Sequence, residues 1–163
     1  MKVGIISDTH DNLDAIDATI ELLNSKEVGT VIHAGDVISP FAAARFKRLK
    51  APMWVVYGNN DGERTGLKSK FKELGAEIED FLEFELGGRR FAVYHGTIEG
   101  VQDSLVKSRQ YDVVLTGHTH KPEVKRSEGT LLINPGEACG YLTGKRSLCI
   151  LDLETMEPEI VEY

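Results

Sequence analysis

The sequence predicts an α/β fold in which two β-sheets form a sandwich with helices on the outside. Three observations carry that expectation. The first third of the chain alternates short β-rich runs with amphipathic segments, as layered sheets with helical crossovers do. From Phe81 onward the character changes to short strands joined by tight turns. Hydrophobic residues supply 41% of the chain and charged residues 28%, a globular composition far from that of disordered or collagen-like chains.

Each element follows from local signals. Lys2–Ser7 reads as a buried strand. Asn12 suits a helix N-cap, and Leu13, Ile16, Ile20 and Leu23 then fall on one helical face. Thr30–Ala34 is the next strand. Pro40 fits the first turn of a helix carrying Phe41, Ala44, Phe46 and Leu49, and Pro52 stops that segment before the strand Met53–Tyr57. A third helix covers about Thr65–Leu74. Phe81–Leu86 and Arg89–Tyr94 flank Gly87-Gly88, a two-residue hairpin signal. Val101–Ser108 reads as a short helix and Asp112–Thr116 as a strand, with a second hairpin formed by Glu123–Arg126 and Thr130–Ile133 across Glu128-Gly129. Two final strands, Ser147–Leu153 and Ile160–Tyr163, lie either side of Pro158.

At 163 residues the chain suits a single domain, residues 1–163, long enough to bury roughly two-thirds of the surface its unfolded form exposes. No internal repeat or linker divides it. The net charge of −7 offers no excess of Lys and Arg to displace phosphate counterions, so no stable nucleic-acid or anionic-membrane partner is expected. The apolar run of Met1–Ser7 is too short for a signal segment, and the cytoplasm is the expected location. Cys139 and Cys149 belong to no CxxC pair and read as buried thiols. Exposed sheet edges would suit a homodimer.

Four of the five histidines follow predicted strands directly, as do two Asp motifs and one Gly-Asn motif. Asp8-Thr9-His10 follows the first strand, Gly35-Asp36 the second and Gly58-Asn59-Asn60-Asp61 the third. His95-Gly96 follows the second arm of the Gly-Gly hairpin, and Gly117-His118-Thr119-His120 the strand after it. Ligands of open α/β sheets bind beyond the carboxyl ends of strands, so five loops can converge on one point. Taken singly, Asp8-x-His10 also suits a helix-capping loop, Asp36 and Asn59 suit turns, and His118 with His120 suit a polar surface. It is the five together, each after a strand, that point to a site. His33 lies inside its strand and is expected to be structural.

Imidazole and carboxylate donors without a thiolate suit Mn, Fe, Co, Ni or Zn rather than Ca or Mg. Seven candidate ligands, Asp8, His10, Asp36, Asn59, His95, His118 and His120, are too many for one tetrahedral ion and enough for two that share a carboxylate. Two metals roughly 3.5–4 Å apart can activate hydroxide and stabilise an in-line displacement at phosphorus. The expected chemistry is therefore metal-dependent hydrolysis of a phosphoester.

This motif set resembles the calcineurin-like metallophosphoesterase superfamily, whose pattern runs D-x-H, G-D, G-N-H-D or G-N-H-E, a later H-G or G-H, and G-H-x-H. Within it the chain is similar to the small bacterial and archaeal phosphodiesterases, which also carry the phrase seen here as Asn134-Pro135-Gly136. The resemblance implies a four-layer α/β/β/α sandwich, hydrolysis of a small phosphodiester without a covalent intermediate, and two divalent transition-metal ions with Mn or Ni favoured. It would place Asp8, His10 and His120 on the first ion, Asn59, His95 and His118 on the second, and Asp36 between them. It also implies catalytic roles at positions 60 and 61, where Asn60 replaces the family histidine before Asp61. Asn donates a hydrogen bond but transfers no proton at neutral pH, so general-acid help to the leaving group is the function at stake. Thr97 likewise stands where many relatives have another polar residue or histidine. The alternative is a metal-binding interaction scaffold, since the eukaryotic retromer subunit of similar fold also resembles this chain.

Overall fold

The computed structural model describes residues 1–163. Its first half runs β1 (Lys2–Ile6), α1 (Leu13–Ser25), β2 (Thr30–His33), α2 (Pro40–Ala43) continuing into a 3₁₀ turn (Ala44–Arg48), β3 (Met53–Val56), α3 (Arg64–Glu73) and β4 (Ile78–Glu79). The second half runs β5 (Phe81–Leu86), β6 (Arg89–Tyr94), α4 (Val101–Lys107), β7 (Val113–Leu115), β8 (Pro122–Ser127), β9 (Thr130–Pro135), β10 (Ser147–Asp152) and β11 (Glu157–Glu162).

The strands make two mixed sheets, a six-stranded one in the order β11-β10-β1-β2-β3-β4 and a five-stranded one in the order β5-β6-β7-β9-β8. In the first, β1 to β4 are parallel, and in the second β6, β7 and β9 are parallel. The carboxyl ends of these parallel strands carry every predicted ligand.

Strand alternation sorts the apolar residues into layers. Val3, Ile5, Ile32, Val56, Cys149 and Leu151 face the other sheet, where Phe91, Val93, Val113, Leu115, Leu131 and Ile133 meet them. Ile6, Val31, Val55, Leu148 and Ile150 face the opposite way, against Ile16, Ile20 and Leu23 of α1 and Leu67 and Phe71 of α3. On the outer face of the second sheet Ala92, Val114 and Leu132 pack against Val106 of α4. The result is the expected four-layer α/β/β/α arrangement. Each fully buried aliphatic or aromatic side chain contributes about 1.5–3 kcal/mol, so the intersheet layer alone resists separation of the two sheets.

Local signals account for most boundaries. Asn12 caps α1 by accepting from the Ala15 amide at 3.2 Å, and Ser39 caps α2 by accepting from Ala42 at 3.2 Å, with Pro40 in the first turn. Both hairpin turns have positive φ at each central residue, Gly87 (59°) with Gly88 (72°) and Glu128 (54°) with Gly129 (86°). This is the geometry that matches strand twist.

Three elements differ from the sequence expectation. The helix expected through Phe41–Leu49 is one α-turn followed by 3₁₀ geometry, because an apolar pattern does not separate i+3 from i+4 bonding over so short a run. The two-residue β4 carries too few residues for any periodicity. Pro158 lies within β11, opposite Leu151, rather than before it. Strand β11 is a sheet edge, where a missing N–H breaks no ladder.

Candidate metal centre

Five loops bring the site together. Asp8 and His10 follow β1, Asp36 follows β2, Asn59 follows β3, His95 follows β6, and His118 and His120 follow β7. The loops lock to one another through the backbone. The amides of Asp8, Thr9 and His10 donate to the carbonyls of Gly35 and Asp36 at 3.0–3.1 Å, and Gly117 donates to the His95 carbonyl at 2.9 Å.

Five of the seven candidate ligands have left-handed backbones: Asp8 (φ 55°), His10 (43°), Asp36 (63°), His118 (66°) and His120 (61°). Such conformations cost an L-residue roughly 1 kcal/mol or more and persist only when the surroundings enforce them. Two glycines let the loops approach closely. A Cβ on Gly58 would stand 2.1 Å from Asp36 Oδ1, and one on Gly117 2.0 Å from Ser7 Oγ and 2.8 Å from Asp8 Oδ2.

At the centre lie two carboxylates. Asp8 Oδ1 faces Nε2 of His120 at 3.4 Å, of His10 at 3.6 Å and of His95 at 4.0 Å. Asp36 Oδ2 faces Nε2 of His95 at 3.3 Å and of His10 at 3.5 Å. Asn59 Oδ1 stands 3.1 Å from His95 Nε2, and the His118 ring lies edge-on to His95 with centroids 5.3 Å apart. The His118 amide donates to Asp8 Oδ2 at 3.1 Å. All seven predicted residues thus meet in one cluster, the three rings nearest Asp8 each turning Nε2 inward.

The outward ring nitrogens explain that orientation. His95 Nδ1 donates to the Ala34 carbonyl at 2.6 Å, and His120 Nδ1 donates to the Glu137 carboxylate at 2.8 Å. Carbonyl and carboxylate oxygens only accept, so Nδ1 carries a proton, and Nε2 is the nitrogen turned to the cluster, where the neutral ring has its lone pair. His33 has the opposite arrangement. Its Nδ1 accepts from the Gly35 amide at 3.2 Å and its Nε2 donates to Thr9 Oγ1 at 3.1 Å, while Phe46 packs edge-on against the ring. Both nitrogens are used inside the protein. Burial pushes its pKa down to about 4.

Electrostatics follow from this packing. Contact with Asp8 raises the His10 pKa against the opposing effect of burial. Burial works to lower His95, yet Asp36 and Asp8 outweigh it and the pKa is raised. Burial works to raise Asp36, but His95 and Asn60 hold it below the usual carboxylate range. Asp8 Oδ1 and His10 Nε2 are buried and have no hydrogen-bond partner.

That pair of orphaned atoms fits a metal ion. Two donors at about 2.0–2.2 Å from one ion at a tetrahedral angle stand about 3.4 Å apart, close to the separations around Asp8 and Asp36. The donors present are imidazole nitrogen, carboxylate oxygen and amide oxygen, the set that suits divalent transition metals. Asp8, His10 and His120 form one compact group, and Asp8, Asp36 and His95 another.

Asn60 and Asp61 shape the Asp36 loop. The Asn60 backbone and side-chain amides both donate to Asp36, and Asp61 accepts from the amides of Gly58 (2.7 Å), Asp36 (3.0 Å) and Ile38 (2.6 Å). The residue that sequence reasoning missed is Glu137, which follows β9 and binds His120. Its one local feature in the sequence is its place just past the end of β9, after Asn134-Pro135-Gly136, which by itself reads as a turn.

The chain matches the model of the calcineurin-like phosphoesterase superfamily domain over residues 1–156. It is 46% identical over 159 residues to a phosphodiesterase of Methanocaldococcus jannaschii, covering 96% of each chain. A solved archaeal phosphodiesterase superposes with a TM-score of 0.97 at 44% identity over the whole of both chains. Vps29 of Entamoeba histolytica, solved in complex with zinc, is alike in fold at a TM-score of 0.72 and 23% identity, covering all of this chain and 92% of that one.

Proposed function

Since this chain belongs to the calcineurin-like phosphoesterase superfamily and is a phosphoric diester hydrolase, we propose that it cleaves a small phosphodiester by in-line attack of hydroxide on phosphorus, using two divalent transition-metal ions and no covalent intermediate. The observation that carries this reading is Asp8 Oδ1, a buried, unpartnered carboxylate oxygen facing three imidazole nitrogens. An unsatisfied buried polar atom costs roughly 1–3 kcal/mol and more when charged, a cost that a shared cation removes.

Asp8, His10 and His120 would hold one ion, Asn59, His95 and His118 the other, with Asp36 placed to serve both. When bound, the ions supply a nucleophile near neutral pH and neutralise charge on the phosphoryl oxygens. The protein's own contribution is preorganisation. His95 and His120 are held by their Nδ1 contacts with Nε2 turned to the cluster, and Asp36 is kept ionised by His95 and Asn60. Asn60 supplies hydrogen bonds but no proton, so a departing alkoxide takes its proton from solvent. Manganese and nickel, two of the ions that these donors suit, are the ones to supply first.

The test is metal analysis of the purified protein combined with hydrolysis of bis-p-nitrophenyl phosphate, with manganese or nickel added. Two ions per chain and turnover that a chelator removes and metal restores are expected. A chain that takes up no ion overturns the reading. One that binds two ions yet hydrolyses no diester is the interaction scaffold instead.

A further inference from the structure

Glu137 is fully buried, and a glutamate in that position persists only when its oxygens are satisfied. Oε1 accepts from the amides of Leu142 (3.0 Å) and Thr143 (2.5 Å) and from Thr143 Oγ1 (2.7 Å). Oε2 accepts from His120 Nδ1 (2.8 Å), Cys139 Sγ (3.1 Å) and the Leu142 amide (3.1 Å). One carboxylate therefore joins the loop at 139–143 to a ring whose other nitrogen stands 3.4 Å from Asp8.

We propose that Glu137 is a positioning residue that fixes His120 in the one tautomer and orientation able to bind a metal through Nε2. The inference rests on the metal reading above. A carboxylate cannot donate, so the ring nitrogen against it carries a proton, and in the neutral ring the lone pair is then on Nε2. Outer carboxylates of this kind orient ligand histidines and raise their basicity, and their loss typically weakens metal binding about 10- to 100-fold.

Glu137→Gln is the discriminating change because it keeps shape and reverses one hydrogen bond. The Thr143 amide reaches Oε1 alone and the Leu142 amide reaches both oxygens, so the amide oxygen stays on the Oε1 side, while the Cys139 thiol on the other side can turn to accept. The amide nitrogen then replaces Oε2 and donates to His120 Nδ1. The ring must move its proton to Nε2, pointing it at Asp8 Oδ1. Thr143→Val is the comparison, since it removes one bond to Oε1 without touching the His120 contact.

The experiment records the ¹⁵N shifts of the His120 ring in metal-free protein, and the two Mn²⁺ dissociation constants by chelator competition, for wild type and both variants. Wild type should show the Nδ1–H tautomer. Glu137→Gln should show Nε2–H and weaken one ion about 10- to 100-fold while sparing the other. Thr143→Val should match wild type in both readouts even if its thermal midpoint falls. A wild-type ring in the Nε2–H form overturns the assignment without any variant. So does a folded Glu137→Gln with unchanged shifts and constants, or a Thr143→Val that weakens the ion as much as Glu137→Gln. Wild type that binds no ion overturns the metal reading, and the ring shifts then decide the orientation of His120 alone.

Discussion

Asn60 donates to both oxygens of Asp36, its backbone amide to Oδ1 and its side-chain amide to Oδ2, each at 2.8 Å. The second contact directs the side chain to the same oxygen that faces His10 and His95. Asn60 therefore holds the carboxylate in place, and it has no proton to give to a leaving group.

Leaving-group dependence should report that deficit. General-acid assistance is typically worth roughly 100- to 10,000-fold, so wild type should prefer phenolate-leaving diesters strongly over alkyl ones. Asn60→His should gain activity on poor leaving groups, with Asp36 as the partner of the new imidazole, since both Asp61 oxygens already accept backbone amides. The measurement is kcat/KM against leaving-group pKa at fixed metal. A steep wild-type slope should flatten in Asn60→His, and identical slopes would mean another group fills the role.

Asp36→Asn should lower turnover by at least about 1,000-fold. Charge stabilisation by a metal pair is worth several kcal/mol, and each 1.36 kcal/mol is tenfold in rate. A neutral amide also loses attraction to His95, the strongest influence lowering the Asp36 pKa. Metal content and kcat should fall together, and near wild-type turnover would sink the two-metal scheme.

Asp61→Ala should act on stability. Its carboxylate accepts three backbone amides of the Asp36 and Gly58 loops, and orphaning them costs about 2–4 kcal/mol. At about 2–4 °C per kcal/mol for a chain of this size, the thermal midpoint of metal-free protein should drop by about 5–15 °C. A shift below 2 °C would show that water replaces the carboxylate.

His33→Gln should leave metal stoichiometry at the wild-type value, because both ring nitrogens serve Thr9 and Gly35. It should also change acid sensitivity. Burial depresses the folded pKa from 6.5 to about 4, so the unfolded chain takes up a proton that the native chain refuses. Stability linked to this group is complete above pH 6.5 and is lost as pH falls toward 4, by about 3 kcal/mol. Urea midpoints of the metal-free proteins at pH 7 and pH 4 should therefore differ less in His33→Gln. Equal differences would mean the ring is solvated.

The layers and the seven clustered side chains were legible because both rest on local rules. Strand periodicity places Ile5 and Ile32 between the sheets, and a polar motif immediately after a strand places Asp8, Asp36 and His120 at its end. Glu137 was not legible. A glutamate after Asn-Pro-Gly has the composition of a solvated turn, and only the fold reveals that its partners arrive from 5 and 6 residues ahead and 17 behind. The 3₁₀ turn after α2 and the proline in β11 were missed for another reason. Bond register and edge position depend on neighbours that a linear pattern does not contain.

The left-handed backbones at Asp8, His10, Asp36, His118 and His120 set this protein's stability against its chemistry. Glycine would occupy each of those positions without steric objection, and the loops would relax. The strain is thus concentrated on the side chains that supply the donors, and the contacts those side chains make, Asn60 on Asp36, the His118 amide on Asp8 and Glu137 on His120, are what hold the backbone there.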